Sequence, residues 1–223
     1  MCSTENFKSF VDKVRACDCT TCVLHRCISN SLKPIQLEHE SPNDVNVLVI
    51  TEQPKILNDQ PVTNDNFLLV VAKSSTVKGL RDILGNDFLN SITSRSGKYY
   101  WTHHTRCPNE KRSPQNKCPE NYLESELSNF VNLKLVISFG SQPFNAISKH
   151  IIKNGKNEKL IDYFYPLLIE QINSTKRHVY KLAINGRDVE YLALPHPSPA
   201  NPLGLLLCKI KPLIESYLKQ STM

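Results

Sequence analysis

Three stretches of the chain, 45–51, 133–139 and 189–194, are nearly continuous runs of apolar residues. Such runs are typical of strands that are buried on both faces of a parallel sheet. The pattern predicts a fourth strand at 99–103, and residues 179–184 are a further candidate strand within the otherwise unpatterned segment 153–188. Helical spacing of apolar residues predicts helices over 5–16, 76–84, 143–152 and 203–219, with Ser75 as a candidate N-cap. A further helix is predicted after Cys118, with Pro119 near its first turn and Tyr122, Leu123, Leu127 and Phe130 on one face.

Strands that alternate with helices predict an α/β fold. We expect three layers, α/β/α, around a central and mostly parallel four-stranded sheet. The length of 223 residues fits one domain over 1–223, in which the N-terminal helix and the cysteine-rich segment belong to residues 1–44.

The chain carries 27 Lys and Arg residues against 21 Asp and Glu residues, a formal net charge of +6. This balance is consistent with a polyanionic partner, but ordinary proteins also show it. The sequence contains no apolar run of membrane-spanning length and no signal-peptide pattern at its start. We therefore expect an intracellular, monomeric protein that is neither secreted nor bound to a membrane.

Eight cysteines in such a protein favour metal ligation over disulfides, because the cytosol keeps thiols reduced. Cys19 and Cys22 form a C-x-x-C pair, and Cys107 and Cys118 form a second, wider pair. Together they make a set of four thiolates. Their spacing leaves an iron–sulfur cluster and Zn²⁺ open as alternatives.

Three loops, 51–55, 103–107 and 195–201, follow predicted parallel strands, and we expect them at the carboxyl edge of the sheet, where α/β proteins bind ligands. Glu52 lies in the first loop and is a candidate catalytic carboxylate. His196 lies in the third, within the sequence His-Pro-Ser-Pro. The alternatives are a solvated loop glutamate and a histidine that bonds only to local backbone.

The order of these motifs resembles that of the uracil-DNA glycosylase superfamily, most closely its iron–sulfur members of the family 4 type. The resemblance covers residues 17 to 202. The matching segments are Cys19-Thr-Thr-Cys22-Val-Leu24-His-Arg26, Thr51-Glu52-Gln53-Pro54-Lys55, Arg106-Cys107, Arg112-Ser113-Pro114, Cys118, Phe139-Gly140 and His196-Pro197-Ser198-Pro199.

The resemblance implies DNA, single- or double-stranded, as the partner, and a flipped nucleotide as the substrate. It implies that His196 stabilises the departing base anion and that Glu52 stabilises the attacking water or the oxocarbenium ion. Ser198 would contact a phosphate. Cys19, Cys22, Cys107 and Cys118 would hold a structural 4Fe–4S cluster, and nearby basic residues would face the DNA backbone: Arg15, Arg26, Arg106, Lys111, Arg112 and Lys117.

Three sites depart from the family pattern: the loop 51–55, position 103 and the stacking aromatic. The family sequence GEAPG is replaced by TEQPK, and Gln53 stands where a related branch has its water-activating Asp. His103 replaces the Asn that reads both O4 and N3–H of uracil, although an imidazole cannot make the same two-point contact. Phe67 is the nearest substitute for the stacking aromatic.

We therefore expect a monofunctional DNA glycosylase that hydrolyses the N-glycosidic bond of uracil or another deaminated base and so starts base excision repair. The alternative is a divergent DNA-binding or complex-forming module that keeps the fold and the cluster without catalysis. A third interpretation, a zinc-stapled α/β protein unrelated to DNA, requires the motif order to be coincidental.

Overall fold

The structure is a computed structural model that describes residues 4–17, 34–54, 63–72, 74–107, 122–148, 159–173, 180–198 and 200–222. These residues form an α/β fold around a mostly parallel sheet, as the sequence pattern predicts. The strands are β1 (Val47–Thr51), β2 (Tyr99–His103), β3 (Leu135–Phe139), β4 (Tyr180–Ile184) and β5 (Arg187–Leu194).

The sheet has the strand order β2-β1-β3-β5-β4. The pairs β2–β1, β1–β3 and β3–β5 are parallel, and β4 runs antiparallel to β5. The prediction of four strands is wrong, because β4 adds a fifth. It has no continuous apolar run since it lies at the sheet edge, where only Leu182 and Ile184 are buried. A two-residue turn, Asn185-Gly186, joins it to β5 with positive φ angles of 48° and 72°.

Eight α-helices lie in the described part of the chain. They are α1 (Thr4–Arg15), α2 (Phe67–Val71), α3 (Ser75–Leu84), α4 (Asn86–Ser94), α5 (Glu124–Asn129), α6 (Ser141–Ile147), α7 (Leu160–Asn173) and α8 (Leu207–Thr222). A short 3₁₀ turn, Gly204–Leu206, precedes α8.

The predicted helices are present as α1, α3, α5, α6 and α8, with shifted ends; residues 119–121 and 149–152 of two of them lie outside the described residues. For α3 the N-cap is Ser74, one residue before the predicted Ser75; its Oγ accepts a hydrogen bond of 3.2 Å from Val77 N. The sequence pattern did not predict α2, α4 or α7.

Strand β2 shows that helices cover both faces of the sheet. The Tyr100 ring contacts Phe7 of α1 edge-to-face at 5.6 Å between ring centroids. The Trp101 ring contacts Phe88 of α4 at 6.3 Å. Because successive side chains of a strand point to opposite faces, α1 and α4 lie on opposite sides of the sheet. This arrangement is consistent with the expected three layers.

In the described ranges, no helix combines the length and the apolar character that a membrane crossing requires.

Candidate functional site

A cavity of about 790 Å³ opens at the carboxyl edge of the sheet, where β1, β3 and β5 end. Three residues that the sequence singled out, Glu52, His196 and Ser198, line it. Leu160, Ile161 and Phe164 of α7 form an apolar wall. The cavity therefore joins a carboxylate, an imidazole and a hydroxyl next to an apolar surface, a composition typical of small-molecule sites.

Glu52 directly follows β1, and its carboxylate packs over the backbone of Gly140, the residue that follows β3. A Cβ atom added to Gly140 would lie 3.0 Å from Glu52 Oε1 and 3.2 Å from its Cγ. Gly140 also has a φ of 100°, which L side chains rarely adopt. The backbone oxygen of Glu52 accepts a hydrogen bond of 2.8 Å from Thr105 N, which ties it to the end of β2.

His196 and Ser198 belong to the turn that follows β5. Both residues are half-buried at the cavity wall. The neighbouring residue Asn201 donates from Nδ2 to the His196 carbonyl oxygen at 3.0 Å, and its backbone N donates to the Ser198 carbonyl oxygen at 2.9 Å. The His-Pro-Ser turn is therefore held by hydrogen bonds to its backbone.

His103 and Phe67 lie outside the cavity lining, in an aromatic cluster on the α4 face of the sheet. The Phe67 ring contacts the His103 ring edge-to-face at 5.3 Å between centroids, and the Trp101 ring lies 4.9 Å from it. His103 is only 3% exposed and Phe67 is fully buried. Burial, and secondarily the nearby Arg106 charge, lower the pKa of His103 to about 3. The imidazole is therefore neutral at physiological pH.

Gln53, the last of the predicted substrate-binding residues, follows Glu52 and is half-buried, and it too lies outside the cavity lining. Of the six predicted catalytic and substrate-binding residues, the structure thus brings Glu52, His196 and Ser198 together and leaves His103, Phe67 and Gln53 apart from them.

Cys107 is the one described member of the predicted ligand set, and it is buried. Cys19, Cys22 and Cys118 lie outside the described residues. Among the residues that the structure does describe, no group of three or more His, Cys, Asp or Glu side chains could hold a metal ion.

Contacts on either side of the first cysteine pair bear on whether a cluster fits. Arg15, at the end of α1, donates from Nη2 to the Gln36 carbonyl oxygen at 2.9 Å. Ile35 N donates to the Arg106 carbonyl oxygen at 2.8 Å. The two ends of the segment that holds Cys19 and Cys22 are therefore linked to each other, and the returning end is bonded to Arg106, the residue before Cys107. This anchoring fits a shared cluster.

Arg106 does not form part of a DNA-binding surface, contrary to the prediction. Its side chain is 2% exposed and makes an ion pair of 2.5 Å with Glu126, which is fully buried. Arg15 bonds to Glu38 Oε1 at 2.5 Å and to the Gln36 backbone. The other predicted basic residues, Arg26, Lys111, Arg112 and Lys117, lie outside the described residues.

Sequence reasoning missed four polar residues of the cavity lining, namely Ser141, Asn145, Lys159 and Asn201. Asn201 could have been found, since it stands five positions after His196 in the same loop. Lys159 precedes a helix that the pattern did not predict. Asn145 lies within the predicted helix 143–152, and no sequence signal marked it.

No protein-family model matches the chain, and no curated protein matches it significantly.

Proposed function

We propose that the protein is a DNA glycosylase of the uracil-DNA glycosylase type, which hydrolyses the N-glycosidic bond of a flipped, deaminated base. The observation that carries the proposal is that Glu52 and His196, which come from loops 144 positions apart in the sequence, line one cavity at the carboxyl edge of the sheet. The finer fold assignment, a uracil-DNA glycosylase-like three-layer domain, belongs to the same proposal.

The chemistry requires a group for each charge that develops as the base leaves. An imidazole N–H of His196, directed at the base, stabilises the departing anion. The carboxylate of Glu52 orients the attacking water or stabilises the positive charge on the sugar. Because both groups stand in one cavity beside an apolar wall, their electrostatic effect is stronger than in water.

The part of the DNA strand that stays outside the cavity carries negatively charged phosphates, and it needs contacts of its own. Lys159 is exposed at the cavity lining and contributes a positive charge there, and the Ser198 hydroxyl contributes a hydrogen-bond donor. These two residues are the proposed phosphate contacts.

A 4Fe–4S cluster on Cys19, Cys22, Cys107 and Cys118 is the proposed cofactor, with Zn²⁺ as the alternative. When bound, it would contribute structure by tying residues 17–35 to the segment that begins at Cys107. Anaerobic purification followed by visible absorbance and iron and sulfide analysis separates the two metals, because Zn²⁺ has a filled d shell and gives no such absorbance.

The second candidate function, a DNA-binding module without catalysis, is favoured by the burial of His103 and Phe67. Neither side chain can read or stack on a base from inside the aromatic cluster. If the protein is an enzyme, groups of the cavity itself must therefore read the base.

The deciding experiment incubates the purified protein with single- and double-stranded oligonucleotides that carry uracil, hypoxanthine or xanthine, followed by alkaline cleavage of abasic sites. The proposal expects cleavage by the wild type and its loss in His196→Ala and Glu52→Gln. Glu215→Gln, an exposed change on α8, is the matched control and should cleave like the wild type. Salt-sensitive DNA binding without cleavage of any substrate would instead establish the binding module.

A further inference from the structure

Helix α3 approaches the His-Pro-Ser turn so closely that one of its residues has to be glycine. A Cβ atom added to Gly79 would lie 2.7 Å from the Pro197 carbonyl oxygen and 3.1 Å from Pro197 Cβ. Glycine in the middle of a helix is unfavourable compared with alanine. Its presence here is explained by the close approach of the helix to the turn.

A second element approaches the turn in the same way. A Cβ atom added to Gly204, at the start of the 3₁₀ turn before α8, would lie 2.6 Å from the His196 carbonyl oxygen and 3.1 Å from the Ser198 carbonyl oxygen. Backbone from two separate elements therefore packs directly against residues 196–198, and no flexible side chain lies between them.

Asn201 links the two halves of this arrangement. Its Nδ2 donates to the His196 carbonyl oxygen at 3.0 Å, while its Oδ1 accepts from Leu203 N at 3.2 Å. Its backbone oxygen accepts from Gly204 N at 2.9 Å. One carboxamide thus fixes the peptide that follows His196 and also holds the loop that brings Gly204 against it.

We propose that Gly79, Asn201 and Gly204 are positioning residues for His196. They fix the backbone of residues 196–198 through contacts from separate elements, so that the imidazole and the Ser198 hydroxyl face the cavity without further rearrangement. The catalytic meaning of this inference rests on the proposed function, whereas the positioning itself is a property of the protein alone.

The direct test follows the His196 imidazole by NMR in ¹⁵N-histidine-labelled protein without DNA. Gly79→Ala places a methyl group against Pro197, and Asn201→Ala removes the donor to the His196 carbonyl, so both should shift the His196 ring resonances. Lys78→Ala is the matched control: Lys78 is exposed and directly precedes Gly79 in the same helix. His196 should be unmoved there. Wild-type His196 resonances in both turn variants would overturn the proposal.

The functional test separates kcat from KM in the abasic-site assay. Because the proposed phosphate contact Lys159 lies outside the altered turn, Gly79→Ala and Asn201→Ala should lower kcat by about tenfold or more, whereas KM, to which Ser198 also contributes, should change less than kcat. Equal loss in kcat/KM through KM alone would contradict a positioning role.

Two outcomes keep this inference apart from the proposed function. If the wild type cleaves no base, the enzyme proposal fails and the NMR comparison still decides the positioning. If Gly79→Ala does not fold, Asn201→Asp serves in its place, because it keeps the acceptor for Leu203 N and lacks the donor to His196. It should shift the His196 resonances as Asn201→Ala does, and unshifted resonances there overturn the inference.

Discussion

Replacing Glu126 with Ala should destabilise the protein strongly, because this carboxylate is the centre of a buried polar network. Its Oε1 accepts hydrogen bonds from Gln36 Nε2 at 2.8 Å, Thr102 Oγ1 at 2.9 Å and Arg106 Nη1 at 3.1 Å. Its Oε2 accepts from Arg106 Nη2 at 2.5 Å. The Arg106 and Glu126 side chains are 2% and 0% exposed, so water cannot replace the lost partner.

The size of the effect follows from what remains after the change. Glu126→Ala leaves a buried guanidinium without its counter-ion, and breaking a buried pair in this way costs about 3–5 kcal/mol. A domain is typically stable by about 5–15 kcal/mol, so about a fifth or more of the total is lost. In Arg106→Met/Glu126→Leu no charge is left buried, and we expect this double variant to be at least about 2 kcal/mol more stable than Glu126→Ala.

Urea unfolding of the wild type, Glu126→Ala, the single variants Arg106→Met and Glu126→Leu, and the double variant measures these differences. The exposed pair Lys181–Asp188, at 3.0 Å, provides the control. Its alanine variants should change the unfolding free energy by less than about 1 kcal/mol. The reasoning is refuted if Glu126→Ala loses less than about 1 kcal/mol, or if the double variant is as unstable as the sum of the single variants.

Three further predictions follow from individual contacts. The low pKa of His103, about 3, means that only the unfolded chain takes up a proton between pH 6.5 and 3. His103 should therefore not affect the free energy of unfolding above pH 6.5, and below pH 6.5 that free energy should fall by up to about 1.4 kcal/mol per pH unit. In urea unfolding at pH 7 and pH 5, His103→Phe should lose less unfolding free energy between the two pH values than the wild type does. Equal losses would contradict this prediction. Ser74→Ala removes the cap on Val77 N and should cost about 1 kcal/mol in the same assay, while Ser75→Ala, one residue along, serves as the control. Gly140→Ala places a methyl group 3.0 Å from Glu52 Oε1 and should lower abasic-site formation more than Gly186→Ala does, so equal activity would argue against a role for Glu52.

Sequence reasoning located the parallel strands because each is buried on both faces. Strand β3, for example, has five buried residues in succession, and such a run can be recognised in the sequence without knowing which strands lie beside it. Helix α7 contains Pro166, and proline usually marks the end of a helix. Helix α4 begins directly after Gly85, whose positive φ of 87° no local sequence pattern predicts. Those elements depend on tertiary packing.

The candidate site, like the fold, was predictable from the sequence only in part. Glu52 and His196 were predicted because a parallel strand delivers its following loop to one sheet edge whatever the side chains are. His103 occupies an equivalent strand end, yet it shares the face of Trp101, two residues earlier, and so packs with Phe67 in the core. The alternation of side chains along β2 already indicated that His103 shares a face with Tyr99 and Trp101. How deeply His103 is buried depended on the position of α2.

The edge position of β4 has a kinetic consequence for the cavity. Strand β5, which leads to His196, is hydrogen-bonded on both sides, to β3 and to β4. Its amides should therefore exchange with solvent only in rare openings of large parts of the sheet, whereas β4 frays more readily. Because short hairpins close within about 10 μs, we also expect β4 and β5 to pair early in folding, before β5 joins β3.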